Sequence, residues 1–287
     1  MILVDMNQIG VASVMMHLNI TKRDSVDVPL VRHMILNSLR MYRQMFREEY
    51  GELVICYDSR HYWRRDFFPE YKASRKKTRE TSGHDWNDIF DCLNTVKEEL
   101  IEFFPYKVLE VYGAEADDII AALCLELEFD NGKTLILSGD KDFVQLQKYT
   151  NVSQYSPITK KFVEGVDPNE YLCEHILKGD VSDGIPNVLS PDNTFVDGLR
   201  QKPLGKKKIA EWTGEILMPV EMAIPQGEVK RNFQRNQQLI DLSKAPEEIF
   251  MACLRAYQEA PEGDRSKLLN YFIKNRLQEL TNSIGDF

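Results

Sequence analysis

Short, nearly continuous apolar runs occur at three places along the chain. They are Ile2-Leu3-Val4, Leu53-Val54-Ile55-Cys56-Tyr57 and Thr134-Leu135-Ile136-Leu137. Such runs are typical of strands that are buried on both faces of a parallel sheet. An acidic residue lies just beyond each run, at Asp5, Asp58 and Asp140. Because ligands of open α/β sheets bind beyond the carboxyl ends of the strands, the pattern predicts three carboxylates in one crevice.

Helical periodicity marks other parts of the chain. A helix is predicted where the apolar residues Ile119 and Ile120 follow the acids Glu115, Asp117 and Asp118. Acids are favoured in a first helical turn, so capping alone would explain them. Their recurrence after three strands favours a shared site instead. Further helices are predicted over residues 86–104, 169–178, 250–257 and 267–280.

Length and composition are those of an ordered globular protein. With 287 residues and 43% hydrophobic content, the chain can bury a large core. We predict an α/β fold with a mostly parallel central sheet flanked by helices in residues 1–178, including a helical arch at about residues 60–90. Residues 179–287 are predicted to form a helical C-terminal region.

Cellular location and redox state follow from what the sequence lacks. No apolar run reaches the roughly 18 residues of a membrane span and no secretory signal is evident, so we expect an intracellular protein without membrane contact. The five cysteines are scattered and form no CxxC pair, which predicts reduced core thiols. His175 lies in a predicted helix, where a structural role is expected.

The formal net charge of −9 conceals two basic segments. Residues 60–79 contain eight Lys or Arg against Asp66 and Glu70, a local net charge of +6. Residues 200–208 contain five basic residues and no acid. An acidic pocket flanked by basic segments suits a protein that holds a polyanion. Two solvated surface loops are the alternative that charge alone leaves open.

Nine carboxylates recur beside the apolar segments and predict a pocket of oxygen ligands for hard divalent cations. They are Asp5, Asp58, Glu115, Asp117, Asp118, Asp140, Asp142, Asp180 and Asp183. Without cations, so many acids at one site would repel one another and some would bind protons. The predicted chemistry is in-line attack of water on a phosphodiester with two Mg²⁺ ions, for which Mn²⁺ would substitute.

The first basic segment also carries aromatic residues. Tyr62, Trp63, Phe67 and Tyr71 alternate with cations, which offers phosphate partners and stacking surfaces to a single strand. Packing against the domain is the structural alternative, because Trp63 and Phe67 share one helix face. The residues of this segment that are predicted to bind nucleic acid are Arg64, Arg65, Tyr71, Lys72, Arg75 and Lys76.

A glycine-containing turn follows the helix predicted over residues 169–178. Gly179 and Gly184, with Pro186, enforce a tight turn that carries Asp180 and Asp183. A later helix begins with three lysines, where backbone amides and side chains can both meet phosphates. These lysines are predicted to contact duplex backbone rather than bases: Lys206, Lys207 and Lys208.

The ordered set of motifs resembles the structure-specific 5′ nucleases, or flap endonucleases. The resemblance covers most of the chain and is carried by stretches such as Tyr71-Lys72-Ala73-Ser74-Arg75 and Ser138-Gly139-Asp140-Lys141-Asp142-Phe143. The stretch Tyr62-Trp63-Arg64-Arg65-Asp66-Phe67 resembles phage members of the family. Residues 187–203 depart from it, because many relatives have a compact Gly-Ile-Gly hairpin there, and we do not carry over the monovalent-ion site of that hairpin.

The resemblance implies 5′ to 3′ digestion and 5′-flap cleavage of RNA–DNA and DNA–DNA duplexes, as in primer removal during phage lagging-strand replication. It assigns Asp5, Asp58, Glu115, Asp117 and Asp140 to a first metal site, and Asp118, Asp142, Asp180 and Asp183 to a second site or its water shell. Lys72 resembles the arch lysine that approaches the scissile phosphate. The resemblance also implies a helix-three-turn-helix over residues 179–208, a monomer, and contacts with a single-strand-binding protein and a sliding clamp.

Three other interpretations stay open from the residues. A haloacid-dehalogenase-type phosphatase would normally need a second Asp two residues after the first, where this chain has Asn7. A PIN-type ribonuclease shares the acidic α/β core but lacks a module like residues 179–208. A non-enzymatic DNA-junction binder would have no need for the full set of acids.

Overall fold

A six-stranded sheet lies at the centre of the protein, for which a computed structural model describes residues 1–22, 25–126, 132–214, 220–261 and 263–287. Its strands are β1 (Ile2–Asp5), β2 (Leu53–Tyr57), β3 (Lys107–Glu110), β4 (Thr134–Leu137), β5 (Val152–Ser156) and β6 (Lys161–Phe162). Their order in the sheet is β3-β2-β1-β4-β5-β6. The first five strands run parallel and β6 is antiparallel to β5, which confirms the predicted fold class.

Helices cover both faces of this sheet. They are α1 (Met6–Thr21), α2 (Val28–Tyr50), α3 (Trp63–Phe67), α4 (Ser74–Thr81), α5 (Trp86–Phe103), α6 (Ala116–Glu126), α7 (Pro168–Lys178), α8 (Lys206–Thr213), α9 (Val220–Ala223), α10 (Glu228–Ile240), α11 (Glu247–Glu259), α12 (Leu268–Lys274) and α13 (Gln278–Thr281). No helix in the described part of the chain is both long and apolar enough to cross a membrane.

Two apolar clusters fill the space between the sheet and these helices. One cluster joins β1, β2 and β4 to α1, α2, α5, α12 and α13. The other joins the opposite sheet face to α6, to a 3-10 helix over Lys141–Lys148, and to α11. Strands β1, β2 and β4 are therefore buried on both faces, as their continuous apolar sequences require.

A third apolar cluster connects the base of the basic segment to the helices that follow β6. Phe68 and Tyr71 pack there with Ile185 and with residues of α7, α8 and α10, including Trp212. Helices α11 to α13 instead pack with the first two clusters, so residues 179–287 contribute to more than one core. A domain boundary at residue 178 stays a proposal.

Candidate active site

Strand β1 ends at the topological switch point of the sheet, where the strand order reverses. Strand β1 pairs with β2 on one side and β4 on the other, and such a switch point opens a crevice at the carboxyl ends of the strands. Asp5 accepts hydrogen bonds from the hydroxyl of Ser138 (2.9 Å) and the amide of Gln8 (3.3 Å). Asp140, beyond β4, accepts from the amide of Asp142 (3.1 Å). Both acids are thus held by the turns that end their strands.

The acids at the start of α6 reach the same crevice. Asp58, just beyond β2, accepts a hydrogen bond from the amide of Ala116 at 2.8 Å, which ties the strand end to the helix. Glu115 is 1% exposed and carries its charge beside Asp58, and Asp117 lies close to Asp140. Strand ends and a helix start therefore place five predicted acids in one group: Asp5, Asp58, Glu115, Asp117 and Asp140.

The glycine-containing turn brings two further acids, Asp180 and Asp183, to the site. Gly179 has φ +67°, and a Cβ there would lie 2.3 Å from the carbonyl oxygen of Ile185, so only glycine fits without a shift. Asp180 closes the turn by accepting from the amides of Ser182 (2.7 Å) and Asp183 (3.2 Å). A small cavity beside the turn is lined by four of the acids, Asp117, Asp142, Asp180 and Asp183.

Burial and mutual repulsion shift the protonation of these acids. Burial, together with the charges of Asp58 and Asp140, raises the pKa of Asp5 to about 7. Burial and the charge of Asp140 likewise raise the pKa of Asp142 to about 7. The pKa of Asp117 is raised well above its usual range by burial, although Lys72 opposes the shift. Such a group holds a full set of negative charges at neutral pH only with cations present.

His175, for which the sequence analysis predicted a structural role, lies beside two acids of this site. Its Nδ1 lies 3.4 Å from Asp142 Oδ1 and its Nε2 lies 3.3 Å from Asp180 Oδ2. These three side chains could together hold a metal ion. Burial lowers the pKa of His175, but the hydrogen bond to Asp180 and the charge of Asp142 outweigh that effect, so the pKa is raised above its usual value. Its position five residues before Asp180, on the helix that enters the turn, was the available signal.

The donor set suits hard divalent cations. Carboxylate oxygens are the preferred ligands of Mg²⁺ and Mn²⁺, whereas a histidine nitrogen is a more usual ligand of metals such as Zn²⁺. The raised pKa values of Asp5 and Asp142 show that the buried charges are not balanced by the protein alone. The residues present therefore fit divalent metal ions.

Lys72 lies inside the acidic group rather than on an open loop. Its ammonium contacts Glu115 Oε1 at 2.5 Å and Asp183 Oδ2 at 3.5 Å. Its backbone adopts φ +55°, and its amide donates to the carbonyl of Asp183 at 2.7 Å. Arg75 contacts the other oxygen of Asp183 at 2.5 Å. The base of the arch and the turn are therefore joined at Asp183.

Three predicted site residues have structural partners instead. Arg64 is 2% exposed, donates to both oxygens of Asp118 at 2.8 Å, and donates to Glu115 at 3.0 Å, so it is not available to nucleic acid. Both oxygens of Asp118 are used by Arg64, and one also accepts from Trp63 and the Glu115 amide, which argues against metal ligation. Tyr71 is 2% exposed and bonds Glu115 and Asp183, so it offers no stacking surface.

A cleft of about 790 Å³ lies between α3, α4 and α5 and opens onto the acidic group at Asp58 and Glu115. Predicted nucleic-acid contacts line it at Arg65, Lys72, Arg75 and Lys76. Tyr62, for which the sequence analysis predicted a stacking role, also lines it, and the remaining cationic and aromatic lining residues are Tyr57, Arg60, Arg79, Trp86, Phe90 and Lys97. The signal was available for Trp86 and Phe90, which share one face of a helix at a spacing of four residues.

The three lysines of the second basic segment are exposed at the start of α8. Gly205 precedes the helix, while Ile209 and Trp212 bury its opposite face. The residues before it form a folded loop, in which Asn187 donates to the carbonyl of Lys202 at 2.8 Å. The surface is therefore available for a backbone ligand at Lys206, Lys207 and Lys208.

A parallel sheet, a buried acidic group at its switch point and an adjoining cationic cleft define the class of structure-specific 5′ nucleases. Residues 2–174 match the family described as "5′-3′ exonuclease, N-terminal resolvase-like domain", and residues 168–287 match "T4 RNase H, C terminal". The chain therefore belongs to the 5′-3′ exonuclease family and is a structure-specific 5′ nuclease.

Similarity to individual proteins supports this placement. The chain is 35% identical to Ribonuclease H of Enterobacteria phage T4 over 99% of its own length and 95% of that protein, which confirms the predicted phage resemblance. It is 30% identical to a 5′-3′ exonuclease of Buchnera aphidicola over 54% of each chain. In fold it resembles the phage T5 5′-exonuclease with bound zinc ions, with a TM-score of 0.63, 17% identity and coverage of 91% and 99% of the two chains. These matches do not favour the phosphatase or the non-enzymatic alternative.

Proposed function

We propose that the protein is a divalent-metal-dependent 5′ to 3′ exonuclease and 5′-flap endonuclease. Its substrates would be RNA–DNA and DNA–DNA duplexes, and its role the removal of RNA primers in a phage-infected cell. The observation that supports this most is the cleft, because its cationic and aromatic walls lead to the acids Asp58 and Glu115. A single-stranded 5′ segment in the cleft would bring its junction with duplex to those acids.

The carboxylates are proposed to hold two Mg²⁺ ions, with Mn²⁺ as a substitute. We assign Asp5, Asp58, Glu115, Asp117 and Asp140 to one ion, and Asp142, Asp180 and Asp183, with His175, to the other. Bound divalent cations would supply activation of water and stabilisation of the leaving 3′ oxygen. The phage T5 flap endonuclease, a structural neighbour with a TM-score of 0.58, has been crystallised with DNA and metal ions.

The protein's own cations have distinct proposed roles. Burial lowers the pKa of Lys72, but Asp183 and Glu115 outweigh that effect and raise it, so the ammonium stays charged beside the acids. There it would stabilise the charge that grows on the scissile phosphate. Arg75 would support it, Arg65 and Lys76 would hold the single strand, and duplex backbone would bind at Lys206, Lys207 and Lys208. Action as a monomer, and contacts with a single-strand-binding protein and a clamp, are proposed from the family resemblance alone.

Cleavage of end-labelled substrates tests this function. We would compare a 5′ flap, a nicked duplex, an RNA primer on DNA and a 3′ flap, each in Mg²⁺ and in EDTA. The proposal predicts short products from the 5′ end of the first three substrates in Mg²⁺ only. Equal cutting of the 3′ flap, or cutting in EDTA, would contradict it.

A further inference from the structure

Three side chains form a compact group on the arch side of the cleft. The guanidinium carbon of Arg79, on α4, lies 5.3 Å from the ring centroid of Trp86 and 5.0 Å from that of Phe90, both on α5. The two rings lie 5.7 Å apart at an interplanar angle of 44°. The indole nitrogen of Trp86 donates to the hydroxyl of Ser82 at 2.8 Å, which fixes the ring. The group is preorganised and borders the cleft.

Phe90 lies outside the apolar clusters, and Trp86, which is partly buried against one of them, also lines the cleft. Helix α5 buries Ile89, Cys92 and Val96 against the sheet. Trp86 and Phe90 lie on the face that lines the cleft, and Phe90 is 36% exposed. Large apolar rings at a partly open, cationic surface are typical of sites that stack unpaired bases.

The charges around the group also favour an anionic ligand. Burial and the nearby cations Arg75 and Arg65 lower the pKa of Arg79. Within the described residues no carboxylate forms an ion pair with Arg79. A phosphate bound here would relieve the repulsion among the three guanidinium groups.

We propose that Arg79, Trp86 and Phe90 bind one nucleotide of the single-stranded 5′ segment, with its base stacked on the rings and its phosphate at Arg79. The proposal rests on the function proposed above and adds a specific contact to it. Because stacking on aromatic side chains tolerates every base, the site would recognise an unpaired nucleotide and not a sequence.

Abasic substitution along the 5′ flap tests this contact. Dissociation constants would be measured in Ca²⁺ for flaps that lack one base at each successive position. The wild-type protein should show one position at which loss of the base weakens binding about tenfold. Trp86→Leu and Phe90→Leu should each bind the intact flap about tenfold less tightly and lose that position-specific penalty.

The matched control is Phe67→Leu. Phe67 is 51% exposed on α3 and is not among the described residues that line the cleft, so this variant should keep the penalty. All variants should bind a nicked duplex without a flap like the wild type, which verifies folding. If Trp86→Leu failed that control, Phe90→Leu and Arg79→Gln would still decide the question.

The outcomes separate this inference from the nuclease proposal. The stacking site would be overturned if the folded Trp86 and Phe90 variants kept the loss of affinity at that abasic position. It would also be overturned if the wild-type protein showed no such loss at any flap position. If the wild-type protein showed no Mg²⁺-dependent cleavage but did lose affinity at one abasic position, the nuclease proposal would be overturned and the stacking site would be supported.

Discussion

Two adjacent arginines on α3 have opposite surroundings. Arg64 is buried and donates hydrogen bonds to Asp118, Glu115 and the carbonyl of Leu239. Arg65 is exposed, lies 5.2 Å above the ring of Tyr62 and lines the cleft. One of these cations organises the acidic group, while the other is available to a ligand. A basic segment is therefore not a uniform nucleic-acid surface, and each cation has to be assigned by its partners.

The same contrast separates the acidic group from the cleft as a whole. The acids are held by strand ends, caps and buried cations, so their positions are fixed before any ligand binds. Helix α4, which forms one wall of the cleft, has no buried residue, and its cations Lys76 and Lys77 are exposed to solvent. We expect substitutions in the acidic group to affect chemistry or folding, and substitutions in the cleft to affect affinity.

The largest expected effect is that of Asp140→Asn. The change removes a carboxylate next to Asp117 and Asp5 without altering the cleft, so cleavage should be abolished while DNA binding stays nearly normal. Cleavage of a labelled 5′ flap in Mg²⁺ and binding in Ca²⁺ would measure the two effects. Glu259→Gln, an exposed acid on α11, is the control. Near-normal turnover of Asp140→Asn would refute its assignment.

Arg64→Gln tests whether the buried arginine is structural. It would leave Asp118 and Glu115 without their buried partner, so unfolding in urea should show a loss of about 3–5 kcal/mol. Arg65→Gln should change stability by less than about 0.5 kcal/mol. That second variant should instead weaken flap binding. Equal stability of the two variants would contradict the contrast drawn between them.

Lys72→Ala should act on chemistry more than on affinity. Its ammonium lies among the acids, so its loss should lower the single-turnover cleavage rate by roughly a hundredfold or more. Lys77→Ala removes an exposed cation from the same segment and should leave the rate nearly unchanged. Measurement at saturating enzyme separates rate from binding. Equal, small effects of the two changes would remove the special role of Lys72.

The smallest effect is expected for the lysines that are proposed to bind duplex DNA. Replacing Lys206, Lys207 and Lys208 by Ala should weaken binding similarly for unrelated sequences. The slope of log affinity against log salt should fall by up to about 0.9 for each phosphate that the variant no longer binds. Titrations of duplex DNA in Ca²⁺ at several salt concentrations would measure this change in slope. An unchanged slope would place the duplex elsewhere.

Much of the sheet could be predicted from the sequence, because β1, β2 and β4 are buried on both faces and are therefore continuously apolar. The other strands could not be identified in this way. Strand β3 has one exposed and two half-buried residues, and β6 is a two-residue edge strand. Their sequences carry polar residues that resemble those of loops.

The acidic group was predicted in outline, since acids at strand ends must converge in a parallel sheet. The burial of Arg64 and Tyr71 was not predictable, because it depends on Glu115, Asp118 and Asp183, which are distant in sequence. Asp118 shows the same limit. It shares a helical turn with Asp117 but points toward α3, since adjacent helical residues lie on different faces.

The claim that the buried acids form one group that binds divalent metal ions is tested most directly by thermal stability against pH, with and without Mg²⁺. Burial raises the pKa of Asp5 and Asp142 to about 7 in the folded protein, against about 3.9 for an unfolded Asp. The metal-free protein should therefore lose stability as the pH rises from about 4 to about 7. Mg²⁺ should raise the Tm at pH 8 by roughly 5 °C or more, and by less at pH 5.

The matched variant in that measurement is Asp5→Asn, which removes one buried charge from the group. At pH 8 without metal it should be more stable than the wild type, and Mg²⁺ should stabilise it less. A Tm of the wild type that does not respond to Mg²⁺ at pH 8, or an equal response in Asp5→Asn, would contradict divalent metal binding by this group of acids.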